Sequence, residues 1–360
     1  MKRYLALLLA ILMVLSLVAC TQEQSPDPGT TNPGTTNPGT TDPGTDEPGE
    51  KKFKLGLSFA SLDALYFQAQ KERAEQAAEE LGFDLVVTVA DNDSAKQLQQ
   101  CENLLTQNVD ALLCVPVDNA AIVSVVDSCK AKNVPYIAVA RMPAEMENVT
   151  FGAQGENYTR AIESAKLIRQ VADDMGKTGT IKVIEMIGNM TDQAAVERHE
   201  GFNDAAAEYN LEIVGTVNTE WDTEKAYNRF NDLLQVVKEF DAVYMPSDML
   251  ISGCFSVLDK EGLFYPVGDP NHIIVCGTDA DAYAISEIYK GNLDFSVAAD
   301  AFDVIMTSIE TTLEILEGNM PDEQIHIVPT SCVATWNVKE IVENKSTWGT
   351  LNLDEYLDLD

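Results

Sequence analysis

A series of polar clusters in this sequence each follows a short apolar run, and together they could hydrogen-bond a hydroxylated solute. They are Ala60-Ser61-Leu62-Asp63, Pro116-Val117-Asp118, Arg141, Gly188-Asn189-Met190, residues 218–222, Pro246-Ser247-Asp248 and Thr278-Asp279. Their carboxylates accept and their guanidinium groups donate, which gives the strong, charge-assisted class of hydrogen bond. Tyr66 and Trp221 lie near the same places. A planar ring against the C–H face of a sugar, with carboxylates accepting from its hydroxyls, is the chemistry of carbohydrate capture. Catalytic constellations are missing: there is no Gly-x-Ser-x-Gly elbow, no HExxH and no phosphate-cradling glycine loop. The three histidines, His199, His272 and His326, are far apart, and no cysteine pair has CxxC or zinc-ligand spacing. No metal and no cofactor is therefore expected. Asp248 and Asp279 could in principle serve as a glycosidase pair, which keeps an exported hydrolase as the least favoured reading.

The elements that must position these clusters follow from the hydrophobic pattern. Residues 53–59 read as a strand, 67–81 as a helix ending at Gly82, 84–89 as a strand and 94–107 as a helix. Residues 111–115, 120–132 and 136–140 continue the alternation as strand, helix and strand. The rhythm recurs, with strands at 181–187, 212–217, 242–245 and 273–276 and helices at about 194–209, 223–239 and 248–261. Such alternation specifies parallel sheets covered by helices on both faces. The expected fold is α/β, with two doubly wound open parallel-sheet lobes and a cleft between them. Ligands of such sheets bind beyond the carboxyl ends of the strands, where the polar clusters fall.

The N-terminal fifty residues concern location. Lys2 and Arg3 precede an apolar run from Tyr4 to Ala19, which has the layout of a signal peptide over residues 1–19. The run is short for a membrane span. Leu17-Val18-Ala19-Cys20 resembles the bacterial lipobox, which makes Cys20 the expected lipidation site and places the protein outside the cytoplasm on the cell membrane. Pro-Gly repeats from about 28 to 49 have almost no apolar side chains, so residues 20–51 are expected to be an extended tether. The chain has 58 Asp and Glu against 24 Lys and Arg, a net charge of −34. That balance repels nucleic acid and anionic lipid. Among the seven cysteines, Cys114 and Cys276 sit in apolar strands, while Cys101 and Cys129 fall in neighbouring helices and could pair in an exported protein.

On these residues the chain resembles the sugar-binding type I periplasmic binding proteins, the ribose/galactose-binding-like receptors of ABC importers. The resemblance runs from Phe53 to about Val338. It is carried by Ala111-Leu-Leu-Cys-Val-Pro-Val-Asp118, Val134-Pro-Tyr-Ile-Ala-Val-Ala-Arg141, Ala194-Ala-Val-Glu-Arg-His-Glu-Gly-Phe202, Phe240-Asp-Ala-Val-Tyr-Met-Pro-Ser-Asp248 and Val275-Cys-Gly-Thr-Asp279. It implies a monomeric, non-catalytic binding protein that captures a monosaccharide or similar small polar solute and delivers it to a membrane permease by hinge closure. The same module serves as a sensing subunit for a chemoreceptor or histidine kinase, which is the alternative. Implied ligand contacts are Asp63, Tyr66, Phe67, Arg141, Arg198, Trp221, Ser247, Asp248, Asp279 and Asp300.

Several of these positions have other roles open to them. Arg141 could pair across the lobes, Asp279 could cap a helix over 280–290, Asp248 could be an N-cap, and Arg198 could be half of a structural pair. About half of the family's sugar contacts are altered, with Val196 in place of an arginine. Ribose itself is therefore in doubt, and the acidic look of the cleft hints at an amine-bearing ligand. The resemblance also implies three crossings between lobes, near 155–156, 299–300 and 331–332. These give a first lobe of 52–154 plus 301–330 and a second of 155–300 plus 331–360.

Overall fold

In the computed structural model, which describes residues 52–357, two six-stranded sheets carry the chain. The leader, Cys20 and the tether lie outside the described residues. The first half runs β1 (Lys54–Phe59), α1 (Leu65–Leu81), β2 (Asp84–Val89), α2 (Ser94–Thr106), β3 (Ala111–Cys114), α3 (Val123–Lys132), β4 (Tyr136–Val139) and β5 (Phe151–Gly155). Then follow α4 (Asn157–Asp174), β6 (Ile181–Ile187), α5 (Gln193–Ala206), β7 (Leu211–Asn218), α6 (Thr223–Leu233) and β8 (Ala242–Tyr244). The remainder is α7 (Ile251–Lys260), β9 (Ile274–Thr278), α8 (Ala282–Lys290), β10 (Phe295–Ala299), α9 (Ala301–Leu316), β11 (Ile325–Val328), β12 (Thr330–Ala334) and α10 (Val338–Asn344).

The first sheet has the order β11-β5-β4-β3-β1-β2, all parallel. The second has the order β12-β10-β9-β8-β6-β7, parallel except for β12 at its edge. Apolar strands such as Ala-Leu-Leu-Cys in β3 are buried along their whole length, as strands covered on both faces must be. Each sheet accordingly has two cores. In the first lobe α1 and α9 cover one face around Phe59, Phe67 and Ile305, and α2 and α3 cover the other around Leu104, Val125 and Tyr136. In the second, α4 and α5 pack around Ile168 and Phe202, opposite a core built on Phe230, Ile251 and Ile285. Cys101 and Cys129 are both buried in the face made by α2 and α3, and both are free thiols.

The chain passes between the sheets three times: from β5 to α4, from β10 to α9, and from β11 to β12. The third passage is at Pro329, between Val328 and Thr330, rather than at 331–332. Proline has no N–H for a ladder bond and separates the two strands. At the first two passages Gly155 and Ala299 lie against one another; a Cβ on Gly155 would stand 2.5 Å from that of Ala299. The C-terminal segment ties the lobes together from behind. Trp348 packs into the first lobe's core, edge-on to Tyr66 with 5.7 Å between ring centroids. Its indole N–H donates 3.0 Å to the carbonyl of Asp279 in the second lobe.

Helix limits depart from the sequence pattern where local bonds intervene. The helix expected over 120–132 starts at Val123, because the Asp118 carboxylate accepts from the N–H groups of Ala120 and Ala121 and holds a turn there. The helix expected over 223–239 ends at Leu233, after which short-range turn bonds take over and Val236 is left exposed. The stretch over 248–261 opens as a 3-10 turn, Asp248–Leu250, before α7. The helix that ought to begin at 280 begins at Ala282.

Candidate functional site

Between the two lobes, at the carboxyl ends of the strands, the structure encloses a cavity with about 600 Å³ of empty space including its mouth. The first lobe contributes Ser61 after β1, Tyr66 and Phe67 from the start of α1, Asn92 after β2, and Ala140 and Arg141 after β4. The second contributes Arg160 from the first turn of α4, Asp192 after β6, Arg198 from α5, Trp221 after β7, Ser247 after β8 and Asp279 after β9. Ala140, Trp221 and Asp279 have φ values of 59°, 60° and 122°. Non-glycine residues with positive φ cost free energy and concentrate where geometry is needed for function.

Arg141 and Asp192 face each other across the cleft. Arg141 Nε donates 3.0 Å to Asp192, Arg141 Nη1 donates 3.0 Å to the Pro116 carbonyl, and the guanidinium lies 5.2 Å from the centre of the Phe67 ring. Asp192 also accepts from Trp221 Nε1 at 3.0 Å and from the Ala194 N–H at 3.0 Å, so it caps α5 and fixes the indole. Gly188 makes room for that ring; a Cβ there would lie 2.1 Å from it. Elsewhere across the cleft, Asn119 donates from its backbone to the Thr191 carbonyl and from its side chain to Gln193. Both members of the Arg141–Asp192 pair are at least nine-tenths buried.

Asp279 forms the second polar centre. Ser247 Oγ donates to it at 2.8 Å, and Arg198 Nη1 lies 3.9 Å from its other oxygen. Burial pushes the Asp279 carboxyl above its usual range, opposed by Arg198 and Arg160. Arg198 also donates to Asn157 Oδ1 at 3.1 Å and to the Pro246 carbonyl, and lies 5.9 Å from the Trp221 ring centre. Arg160 shares Asn157 Oδ1 at 2.6 Å.

The expected contacts thus divide. Tyr66, Phe67, Arg141, Arg198, Trp221, Ser247 and Asp279 line one cavity. Asp63 is exposed at the rim, where Asn92 Nδ2 donates to it at 3.2 Å. Asp248 is buried behind the wall, accepting from Ser296 Oγ at 2.9 Å and from the Asp281 N–H at 3.1 Å. Asp300 caps α9 through the N–H groups of Phe302 and Asp303 and accepts from the Trp348 N–H. Asp279 caps no helix; that role belongs to Asp281, which accepts from the Ala284 N–H.

Removing Asp63, Asp248 and Asp300 from the lining reverses the expected charge. Three guanidinium groups face two carboxylates, so the cavity is not acidic and the hint of an amine ligand fails. Pattern reading also misses Arg160, Asp192 and Asn92. No group of His, Cys, Asp and Glu able to hold a metal occurs among the described residues, and none of their helices is long and apolar enough to cross a membrane.

The carboxylates behind the wall give a pH signature. Burial lifts Asp281 to about 7 and Asp248 well above the carboxylate range. A folded-state value above the unfolded one means that the native state binds more protons, so stability falls as pH rises from about 4 through 7. Asp281→Asn keeps the cap but cannot ionise. Its urea midpoint relative to the parent is expected to climb between pH 4.5 and pH 8, by an amount on the order of a few kcal/mol in free energy. An equal difference at both pH values would remove Asp281 as the source.

Comparison with known proteins matches this architecture. Residues 55–320 match the model of the periplasmic binding protein domain family. The ribose import binding protein of Bacillus subtilis is 29% identical over 276 residues, covering 77% of this chain and 86% of that protein. The putative rhizopine-binding protein of Rhizobium meliloti is 26% identical over 294 residues, covering 79% and 91%. The crystal structure of an ABC transporter solute-binding protein from Bacillus halodurans with bound myo-inositol superposes with a TM-score of 0.71 at 25% identity, covering 81% and 98%.

Proposed function

Since the chain belongs to the periplasmic binding protein domain family, we propose that it is the extracytoplasmic solute-binding component of an ABC importer. It captures a monosaccharide or similar small polar solute between its lobes and presents the closed form to a membrane permease. The observation that carries this reading is the inter-lobe cavity at the strand ends, where Tyr66, Phe67 and Trp221 supply aromatic surface and Arg141, Arg198, Ser247 and Asp279 supply polar contacts. A monosaccharide suits such a lining through ring stacking and charge-assisted hydrogen bonds. The chain binds its solute without transforming it. Hinge closure follows from contacts that both lobes can make only when shut.

Cys20, diacylated after removal of residues 1–19, would hold the protein at the outer face of the cell membrane, with residues 20–51 as the leash. The body then acts as a monomer that docks on the permease.

A thermal-shift screen tests the reading, using pentoses, hexoses, inositols, amino sugars, nucleosides and polyamines. A tight ligand raises the unfolding midpoint by mass action, by about 2.7 kcal/mol at a hundred times its dissociation constant. The expected hit is a monosaccharide or a cyclitol. A shift from polyamines or nucleosides alone would overturn the assignment.

A further inference from the structure

We propose that the solute carries a single carboxylate, as a sugar acid does, and that Arg160 receives it. The proposal rests on the monosaccharide reading above and narrows its chemical class. Its basis is the balance of ions around the cavity. Arg141 is matched by Asp192 at 3.0 Å, and Arg198 by Asp279 at 3.9 Å. Arg160 has no carboxylate within salt-bridge distance among the described residues. Its Nη2 donates to the neutral Asn157 amide oxygen, while Nε and Nη1 have no hydrogen-bond partner there.

This guanidinium lines the cavity and is only 3% exposed. A buried cation without a counter-charge is costly, and unpaired charged donors add to that cost. Burial, reinforced by Arg198, brings Arg160 down to about 10, which leaves it charged at neutral pH.

The position suits a ligand-gated role. Arg160 stands in the first turn of α4, just past the passage at Gly155, whose Cβ position would lie 3.2 Å from the guanidinium carbon. An acceptor bound there completes the charge pairing at the point where the lobes join. Charge counting also selects the valence. Three cations against two anions leave one positive charge, which suits a monoanion better than a phosphate dianion. A planar carboxylate matches one edge of the guanidinium: Nη2 carries a second N–H besides the one given to Asn157, and the free Nε or Nη1 donor lies next to it.

The test is calorimetric titration of the full-length chain in detergent. D-Galacturonate, D-glucuronate and D-gluconate are compared with D-galactose, D-glucose and D-ribose, and D-ribose 5-phosphate supplies a dianion. At least one acid is expected to bind about 100-fold more tightly than its neutral counterpart, the scale of a paired, charge-assisted contact. Arg160→Met is expected to reduce that preference to about threefold or less, with an unliganded unfolding midpoint unchanged or raised, because an ill-matched buried charge has gone. Arg160→Lys keeps the charge but not the fork, and is expected to retain part of the preference.

Neutral sugars binding as tightly as the acids would overturn the carboxylate while leaving the monosaccharide reading intact. So would ribose 5-phosphate outcompeting them, or a preference that survives in Arg160→Met. If neither set binds, both readings fall.

Discussion

Arg141→Met is expected to cost about 3–5 kcal/mol of folding stability, the penalty for leaving one partner of a buried ion pair uncompensated. The charge left behind is Asp192, which is 2% exposed. Its two remaining donors, the Trp221 indole and the Ala194 N–H, are neutral and cannot replace a guanidinium. The same substitution is expected to abolish solute-dependent stabilisation, because the pair joins the lobes and Arg141 faces the cavity. Asp192→Asn in the Arg141→Met background keeps the cap of α5 and removes the stranded charge. That double variant is expected to recover most of the lost stability without recovering binding. Urea denaturation of both single variants and the double variant decides the matter: strictly additive losses would mean that the two groups do not act as a pair.

Asp279→Gly is expected to separate binding from folding. Its carboxylate accepts from Ser247 and lies beside Arg198, and loss of a charge-assisted acceptor weakens solute binding by about 1.5–3 kcal/mol, roughly 10- to 100-fold. Glycine adopts a φ of 122° without the penalty that an aspartate carries, and the backbone carbonyl that accepts from Trp348 remains. Arg198 loses a counter-charge that is distant, at 3.9 Å, and keeps its bonds to Asn157 and the Pro246 carbonyl, so the folding cost is expected to be about 1–2 kcal/mol, well below that of Arg141→Met. Normal titration of a stabilising monosaccharide by this variant would remove Asp279 from the contact set.

The lobes are legible in the sequence because fully covered parallel strands are apolar without interruption. β3 as Ala-Leu-Leu-Cys and β4 as Tyr-Ile-Ala-Val stand out from the helical stretches around them. β5 does not: Phe-Gly-Ala-Gln-Gly has no strand signature, and it becomes a strand because β4 and β11 bond to it on either side. Strands at the passages between lobes are specified by tertiary pairing more than by local propensity.

The site was harder to read, and for a different reason. An aspartate after a parallel strand sits where a ligand binds and also where the next helix needs an N-cap. Asp192, Asp281 and Asp300 cap helices, Asp279 does not, and no local pattern separates them. Arg160 did leave a signal. It shares a helical face with Ala161, Ser164, Ala165 and Ile168, all buried, and a charged residue in such a stripe is either paired or functional.

The arrangement of tryptophans gives the molecule an optical property. Trp221 forms part of the cavity wall within reach of Arg198, and Trp348 packs against Tyr66, while Trp336 is 54% exposed and is not part of the lining. Indole emission responds to the charge and hydration around the ring. Of the three indoles in this chain, one therefore lines the cleft, a second packs against a residue of its wall, and the third supplies a solvent-quenchable background. Occupancy and closure would be written into the protein's intrinsic fluorescence, and no label is needed to follow them in real time.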